Sequence, residues 1–356
     1  MMADGNPNSI SVFGANEQFV LVSSTAPQLD SHYLFEPPAE AQGVSISDPM
    51  LHGCSWERIT FYGEAHRKVL SGLRRIISGA KVLVFVCCST PFINEVLSWA
   101  EKKLIVGISN CLLSEDVTIR AEGLTLYGSY AQGGSLGGFA NWLTIFVPCS
   151  ADVWGAIISS QCCKNICIVG GRYQVFPKEF DGVVGKGQFA LAQVQACVLD
   201  LSSLESLLVA TRSRLYLDPS CRIVGTVFSP EFESPLVSLG IGADCDIDLV
   251  LNLVANSCGQ LQSLEINICC LDDTTARHLA KIESLRHLEL SCLESISLSK
   301  TFRLPMITSL VIPEEILHLN QPILSQLFPS AALYKDSLES PFGYAWLTEA
   351  STDHEK

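Results

Sequence analysis

Gly133-Gly134-Ser135-Leu136-Gly137 matches GxSxG, the frame that exposes a nucleophilic serine on a sharp turn between a strand and a helix. His278, His287 or His318 would have to supply the base. The residues after the motif, Gly138-Phe139-Ala140-Asn141-Trp142, leave little room for the helix an elbow requires, so the expectation is a glycine turn. An α/β serine hydrolase using Ser135 is kept as the alternative function. Gly182–Gly187 with Lys186 approaches a phosphate loop, but Phe180 and Asp181 stand where GxxxxGK[ST] needs its first glycine, and Gly187 replaces the hydroxyl residue. Asp244, Asp246 and Asp248 lack the glycine and closing glutamate of a calcium loop, and a helix cap is the expected role.

Fifteen cysteines run from Cys54 to Cys292 with no CxxC and no histidine at ligand spacing. No metal and no cofactor is therefore expected, and the thiols are read as small apolar residues in a reducing compartment. The chain carries 37 acidic and 23 basic residues, a net charge of −14, which speaks against nucleic-acid binding. Arg58, Arg67, Lys68, Arg74, Arg75, Lys81, Lys102 and Lys103 form a local exception, read as a solvated helix face or a dock for an acidic partner. No basic n-region opens the sequence, and no apolar run approaches the ~20 residues of a membrane span. The expectation is a monomeric cytoplasmic or nuclear protein without a membrane segment.

The elements that would position these residues recur. Apolar-x-apolar triplets begin at Ile59, Leu83, Val106, Leu124, Leu143, Ile166, Val194, Leu215, Leu239, Leu264, Leu288 and Leu310, with a weaker thirteenth at Ala331-Ala332-Leu333. Their mean spacing is about 23 residues, within the leucine-rich-repeat range. Between them, residues 66–78 place Val69, Leu70, Leu73, Ile76 and Ile77 at helical spacing, Asp246 can cap a helix through Val254, and Asp272-Asp273 precede another. Such a unit cannot bury its apolar side alone, so the coils must stack.

Leu261-Gln262-Ser263-Leu264-Glu265-Ile266-Asn267-Ile268-Cys269, continuing through Leu271-Asp272-Asp273 to Leu279-Ala280, resembles the cysteine-containing class of leucine-rich repeats. The copy at Leu285–Cys292 moves its cysteine by one position, and Cys88 and Cys111 occupy the same slot in earlier coils. Such repeats are familiar in ribonuclease-inhibitor-like solenoids and in the substrate-reading regions of F-box proteins; no F-box is visible in residues 1–55. The resemblance implies an α/β leucine-rich-repeat solenoid of about 13 irregular coils, with a curved parallel β-sheet on the concave side and short helices or turns on the convex side. An acidic, proline-containing segment at 1–53, with strands at Phe19–Val22 and Val44–Ile46, caps a solenoid at 54–338, and a polar tail follows at 339–356. A parallel β-helix is the structural alternative.

Strand alternation sends the middle residue of each triplet to the concave face. That row is Thr60, Val84, Gly107, Thr125, Thr144, Cys167, Gln195, Tyr216, Gly240, Glu265, Glu289 and Val311. Large aromatics and charged groups on or beside it (Tyr127, Trp142, Arg214, Tyr216, Asp218, Glu265, His287 and Glu289) are the candidate partner-binding residues. The implied function is a non-enzymatic protein–protein interaction scaffold, a substrate-receptor-like protein without an F-box. Gly240 beside Tyr216 suggests a shallow pocket for an apolar anchor, with Glu265 and Glu289 receiving flanking basic residues.

Overall fold

A computed structural model of the chain describes residues 9–13, 19–23, 42–45, 56–65, 67–100, 105–128, 130–131, 136–147, 163–178, 180, 185–225, 232–299 and 302–335. The chain divides into two compact units, residues 1–184 and 185–356. Each is α/β and each is built on a ladder of parallel strands.

In the first unit, β1 (Ser9–Phe13), β2 (Phe19–Ser23) and β3 (Gln42–Ser45) pair antiparallel in that order. The two expected strands of the N-terminal segment are thus joined by a third. It is β1 that meets β4 (Arg58–Tyr62), and it does so in parallel. There follow α1 (Arg67–Gly79), β5 (Val82–Val86), α2 (Thr90–Leu97), β6 (Ile105–Ser109), β7 (Leu112–Leu113), β8 (Val117–Tyr127), β9 (Tyr130–Ala131), β10 (Leu136–Phe146) and β11 (Cys163–Val175). Strands β4, β5, β6, β8, β10 and β11 pair successively and in parallel, with Ile59, Leu83, Val106, Leu124, Leu143 and Ile166 side by side. All six are buried, and Phe61, Phe85 and Phe92 stack behind them with ring centroids 5.4–6.4 Å apart.

Two local devices let these coils turn. The first follows the strand. Gly63, Cys87, Asn110 and Gly128 occupy one slot in successive coils and all have positive φ, from 49° to 73°. The amides of the first three each donate to a carbonyl of the next coil, at Val86, Ser109 and Tyr127, over 2.8–3.0 Å. A left-handed residue directs the chain away from the sheet, and Gly or Asn adopts it most readily. This slot lies just before the cysteine slot, where the Sγ of Cys111 accepts from the Cys88 amide at 3.3 Å.

The second device is a corner. Along β8, β10 and β11 the buried residues step by three, not two, at one aligned place: Ala121 to Leu124, Ala140 to Leu143, Cys163 to Ile166. A strand whose inward side changes phase has bent around the core, so strands of 11 to 13 residues supply a second wall without a helix. The Asn141 side-chain amide donates to the Glu122 carboxylate at that corner, over 2.9 Å. A glycine turn is expected around Gly137 from the residue types alone. Instead Leu136–Gly138 open β10 and pair with Val117–Ile119.

The second unit begins with β12 (Phe189–Asp200), which turns a similar corner, and α3 (Leu201–Ala210), capped by the Asp200 carboxylate on the Ser203 amide. Next come β13 (Thr211–Leu217), β14 (Arg222–Val224), β15 (Ser238–Ile241), α4 (Ile247–Ser257), β16 (Ser263–Asn267), β17 (Cys270–Asp272), α5 (Asp273–Lys281), β18 (His287–Ser291), β19 (Ser295–Ser297), β20 (Ser309–Ile312), α6 (Glu314–Leu327) and β21 (Ala332–Lys335). Strands β12, β13, β15, β16, β18, β20 and β21 form its parallel ladder. Asp246 caps α4 and Asp272 caps α5, each accepting from amides of the first turn, as their spacing leads one to expect. The stretch between Pro219 and Pro235 contains β14, which pairs with Val198–Asp200 of β12.

Two triplet frames differ from the sequence reading. Val194-Gln195-Ala196 gives way to Ala192-Gln193-Val194, whose apolar pair is fully buried and lies beside Leu215 and Leu217. Ala196 has φ 51°, which interrupts the extended run inside β12, so Gln193 takes the middle position instead of Gln195. At the last strand Leu333, not Ala331, aligns with Leu310, and Tyr334 becomes the middle residue.

Candidate functional site

The register of the second unit assembles one outward row from seven strands: Gln193, Tyr216, Gly240, Glu265, Glu289, Val311 and Tyr334. Two residues back along each strand lies a second row containing Arg214, Ser238, Ser263, His287 and Ser309. Alternation with the buried leucines makes both rows point the same way. Five of the eight candidates, Arg214, Tyr216, Glu265, His287 and Glu289, are therefore brought onto one face within four adjacent strands.

At its centre the Tyr216 ring lies over Gly240. A methyl group built there would sit 2.5 Å from Cδ2 and 3.1 Å from Cε2 of the ring, so only glycine admits the ring in this pose. The expected pocket beside Tyr216 is accordingly filled by Tyr216 itself, and a partner meets the ring, not a cavity. Burial, followed by the charges of Glu265 and Asp218, pushes the tyrosine hydroxyl up to about 12. It stays protonated at neutral pH and can both donate and accept. Glu265 and Glu289 stand directly side by side on adjacent strands, about 4.8 Å apart along the ladder. Neighbouring like charges are unfavourable in a sheet, which makes this place attractive to a cation. A shallow cleft runs here between Ser263, Glu265, His287, Glu289, Ser309 and Val311.

Asp218 has a different occupation. Its carboxylate accepts from the amide and hydroxyl of Ser220, and that hydroxyl accepts in turn from the amide of Ala196. It shapes the turn after β13. Tyr127 and Trp142 belong to the first unit and are not brought together. Tyr127 is exposed at the end of β8 with its ring 5.8 Å from Phe146, whereas Trp142 sits half-buried at the corner beside Gly123 and Asn165. They are four residues apart in ladder register, roughly 13 Å. The equivalent row of the first coils is buried at Thr60 and Val84, as the second unit's row is at Glu289 and Val311, and Val84 packs 3.4 Å from where a Gly107 side chain would begin.

Tyr334, half exposed at the row's end, was not legible as a candidate, because Leu333-Tyr334-Lys335 breaks the apolar-x-apolar rule with a charge in its third place. Among the other candidates, Ser135 lies outside the described residues, but the chain enters strand β10 immediately after it, where a nucleophile elbow would enter a helix. Lys186 lies 3.7 Å from Glu233, and Asp244 3.8 Å from Arg222. The described residues hold no metal-binding group of His, Cys, Asp and Glu side chains, and their cysteines are free thiols. Contact with Cys111, then burial, holds the Cys88 thiol far above its usual range. No helix among the described residues is long and apolar enough to cross a membrane. No protein-family model matches the sequence, and no curated protein matches it either.

Proposed function

We propose that the chain is a non-enzymatic protein-interaction scaffold of the leucine-rich-repeat type, and that the outward rows of its second unit bind a protein partner. The observation that supports this reading is the single ladder that sets Tyr216, Glu265 and Glu289 in one row, with Arg214 and His287 in the next. Rigid aromatic and charged side chains on a fixed sheet lose little freedom on binding, and residues of this kind dominate interface energetics. The partner offers a basic group to Glu265, whose neighbour Glu289 adds buried negative charge behind it, and packs an apolar or planar surface on the Tyr216 ring. A substrate-receptor-like role in the cytoplasm or nucleus, as a monomer, suits a surface of this kind and the free thiols.

The test is capture of partners on immobilised protein, comparing the native chain with Tyr216→Ala and Glu265→Ala variants of matched thermal stability. Truncating an anchoring tyrosine commonly weakens binding by ~2 kcal/mol or more, about thirtyfold. A partner retained with unchanged affinity by both variants sinks the assignment of this face. Covalent labelling of Ser135 by a fluorophosphonate would overturn the non-enzymatic reading.

A further inference from the structure

The basic cluster of residues 54–103 separates, in the first unit, into charges already engaged and charges still available. Arg58 is buried on β4, where burial lowers its pKa and its Nε donates to Thr60 at 3.4 Å. Lys81 pairs with Glu57 at 2.8 Å. Lys102 and Lys103 lie outside the described residues, as do the side chains of Arg67 and Lys68. Arg74 and Arg75 remain. Both are exposed on α1, and no ion pair between described residues involves either.

These two arginines line an open groove between α1 and the turn that ends α2, together with Ser71, Ser78, Ser98 and Trp99. Helical spacing explains the α1 side: Ser71, Arg74, Arg75 and Ser78 form one solvent-facing stripe, while Leu70, Leu73, Ile76 and Ile77 are buried against the sheet. The other wall holds Arg74 in place, with its guanidinium carbon 5.4 Å from the centroid of the Trp99 ring. A guanidinium resting on an indole keeps its outer N–H groups available and has fewer rotamers to lose when they are used.

We propose that this groove is a docking site for an acidic segment of a partner protein, separate from the tyrosine–glutamate rows of the second unit. Charge complementarity selects the occupant. Two adjacent planar forks match the bidentate geometry of carboxylates, and no described carboxylate occupies them. The chain's overall charge of −14 does not oppose this. At physiological salt the Debye length is about 8 Å, so a ligand in the groove responds to Arg74 and Arg75 more than to distant carboxylates. Exposed ion pairs are individually weak, so the site acts as a salt-sensitive second contact that adds to binding elsewhere.

Fluorescence anisotropy with a labelled oligo-glutamate peptide tests this on the full chain at low ionic strength. Saturable binding is expected, weakened about tenfold or more by Arg74→Glu with Arg75→Glu, and about threefold by Trp99→Ala. Lys186→Glu and Tyr216→Ala, both in the second unit, should leave it unchanged. Tyr216→Ala thereby separates failure of this proposal from failure of the face assigned above. Should the double variant unfold, Arg75→Glu alone carries the test, because Arg75 is exposed and no ion pair among the described residues involves it. Absence of saturable binding overturns the proposal, as does binding indifferent to Arg75→Glu. Preference for a single-stranded DNA oligomer or an anionic vesicle over the peptide, with the same dependence on Arg75, also overturns it.

Discussion

Residues 105–146 and residues 201–327 solve the same problem by different means. Both must bring the chain from the end of one parallel strand to the start of the next while covering a row of leucines, isoleucines and valines. In the first region the core triplets of β6, β8 and β10 are about 18 residues apart. The coil is closed by a bent strand whose inward residues change phase at Ala121–Leu124 and Ala140–Leu143. In the second region the spacing is closer to 24 residues, and α3, α4, α5 and α6 make the return. A helix advances only 1.5 Å per residue, against about 3.3 Å for a strand. A short coil therefore cannot include a helix and still return to the sheet, and coil length selects the wall material. The difference reaches the outward face too. The helical coils align their tyrosine and glutamates in one row, whereas the corner takes up Trp142 and leaves Tyr127 at the far end of its strand.

The sharpest way to break this comparison is to break a helix. Asn252→Pro, in the middle of α4, should lose about 3 kcal/mol or more in denaturant unfolding, with a loss of helical circular dichroism. A change under about 1 kcal/mol would mean that the helical wall does not support the second unit. Next comes the turn slot. Gly128→Ala should lose about 1–2 kcal/mol, since Gly128 has φ 56° and a methyl group there would run into the Asn110 carboxamide oxygen. Gly259→Ala, in a turn of the second unit with nothing within 4 Å, should be close to neutral. Equal effects at the two glycines would remove the special status of the turn slot.

A smaller effect is expected at the helix caps. Asp272→Ala should lose about 1 kcal/mol at neutral pH. Backbone amides of Thr275 and Thr274 hold its carboxylate below the ordinary value of 3.8. Its contribution is therefore present above that value and is lost as the pH falls through it toward the lower folded-state pKa. Stability curves of the native protein and the variant should converge in acid, and curves that stay parallel would contradict the capping role. The smallest change runs the other way. Cys87→Gly relieves a left-handed, exposed non-glycine residue, and should raise the thermal midpoint through a gain of up to about 1 kcal/mol.

How much of this was legible depends on what each residue answers to. Ile59, Leu83, Leu215, Leu264 and their counterparts declared themselves because burial against a parallel neighbour demands the same residue class at the same interval. Asp246 and Asp272 were legible for a local reason, a carboxylate one turn ahead of an apolar helix face. The glycine-rich stretch before Trp142 was not, because glycines signal a turn equally with a strand that bends, and the ladder with β8 decides between them. Frame was ambiguous wherever two triplets overlapped. Ala192-Gln193-Val194-Gln195-Ala196 satisfies the pattern twice, and only the positive φ of Ala196 and the stacking on Leu215 choose the first. The sequence by itself determined the period, the inward faces and the helix caps, which rest on short-range or strictly periodic demands. The tertiary structure alone decided which outward residues meet: Tyr216 over Gly240, Glu265 beside Glu289, Arg74 on Trp99. Those meetings join residues more than 20 positions apart, and their distances follow from how the coils stack, which no local preference specifies.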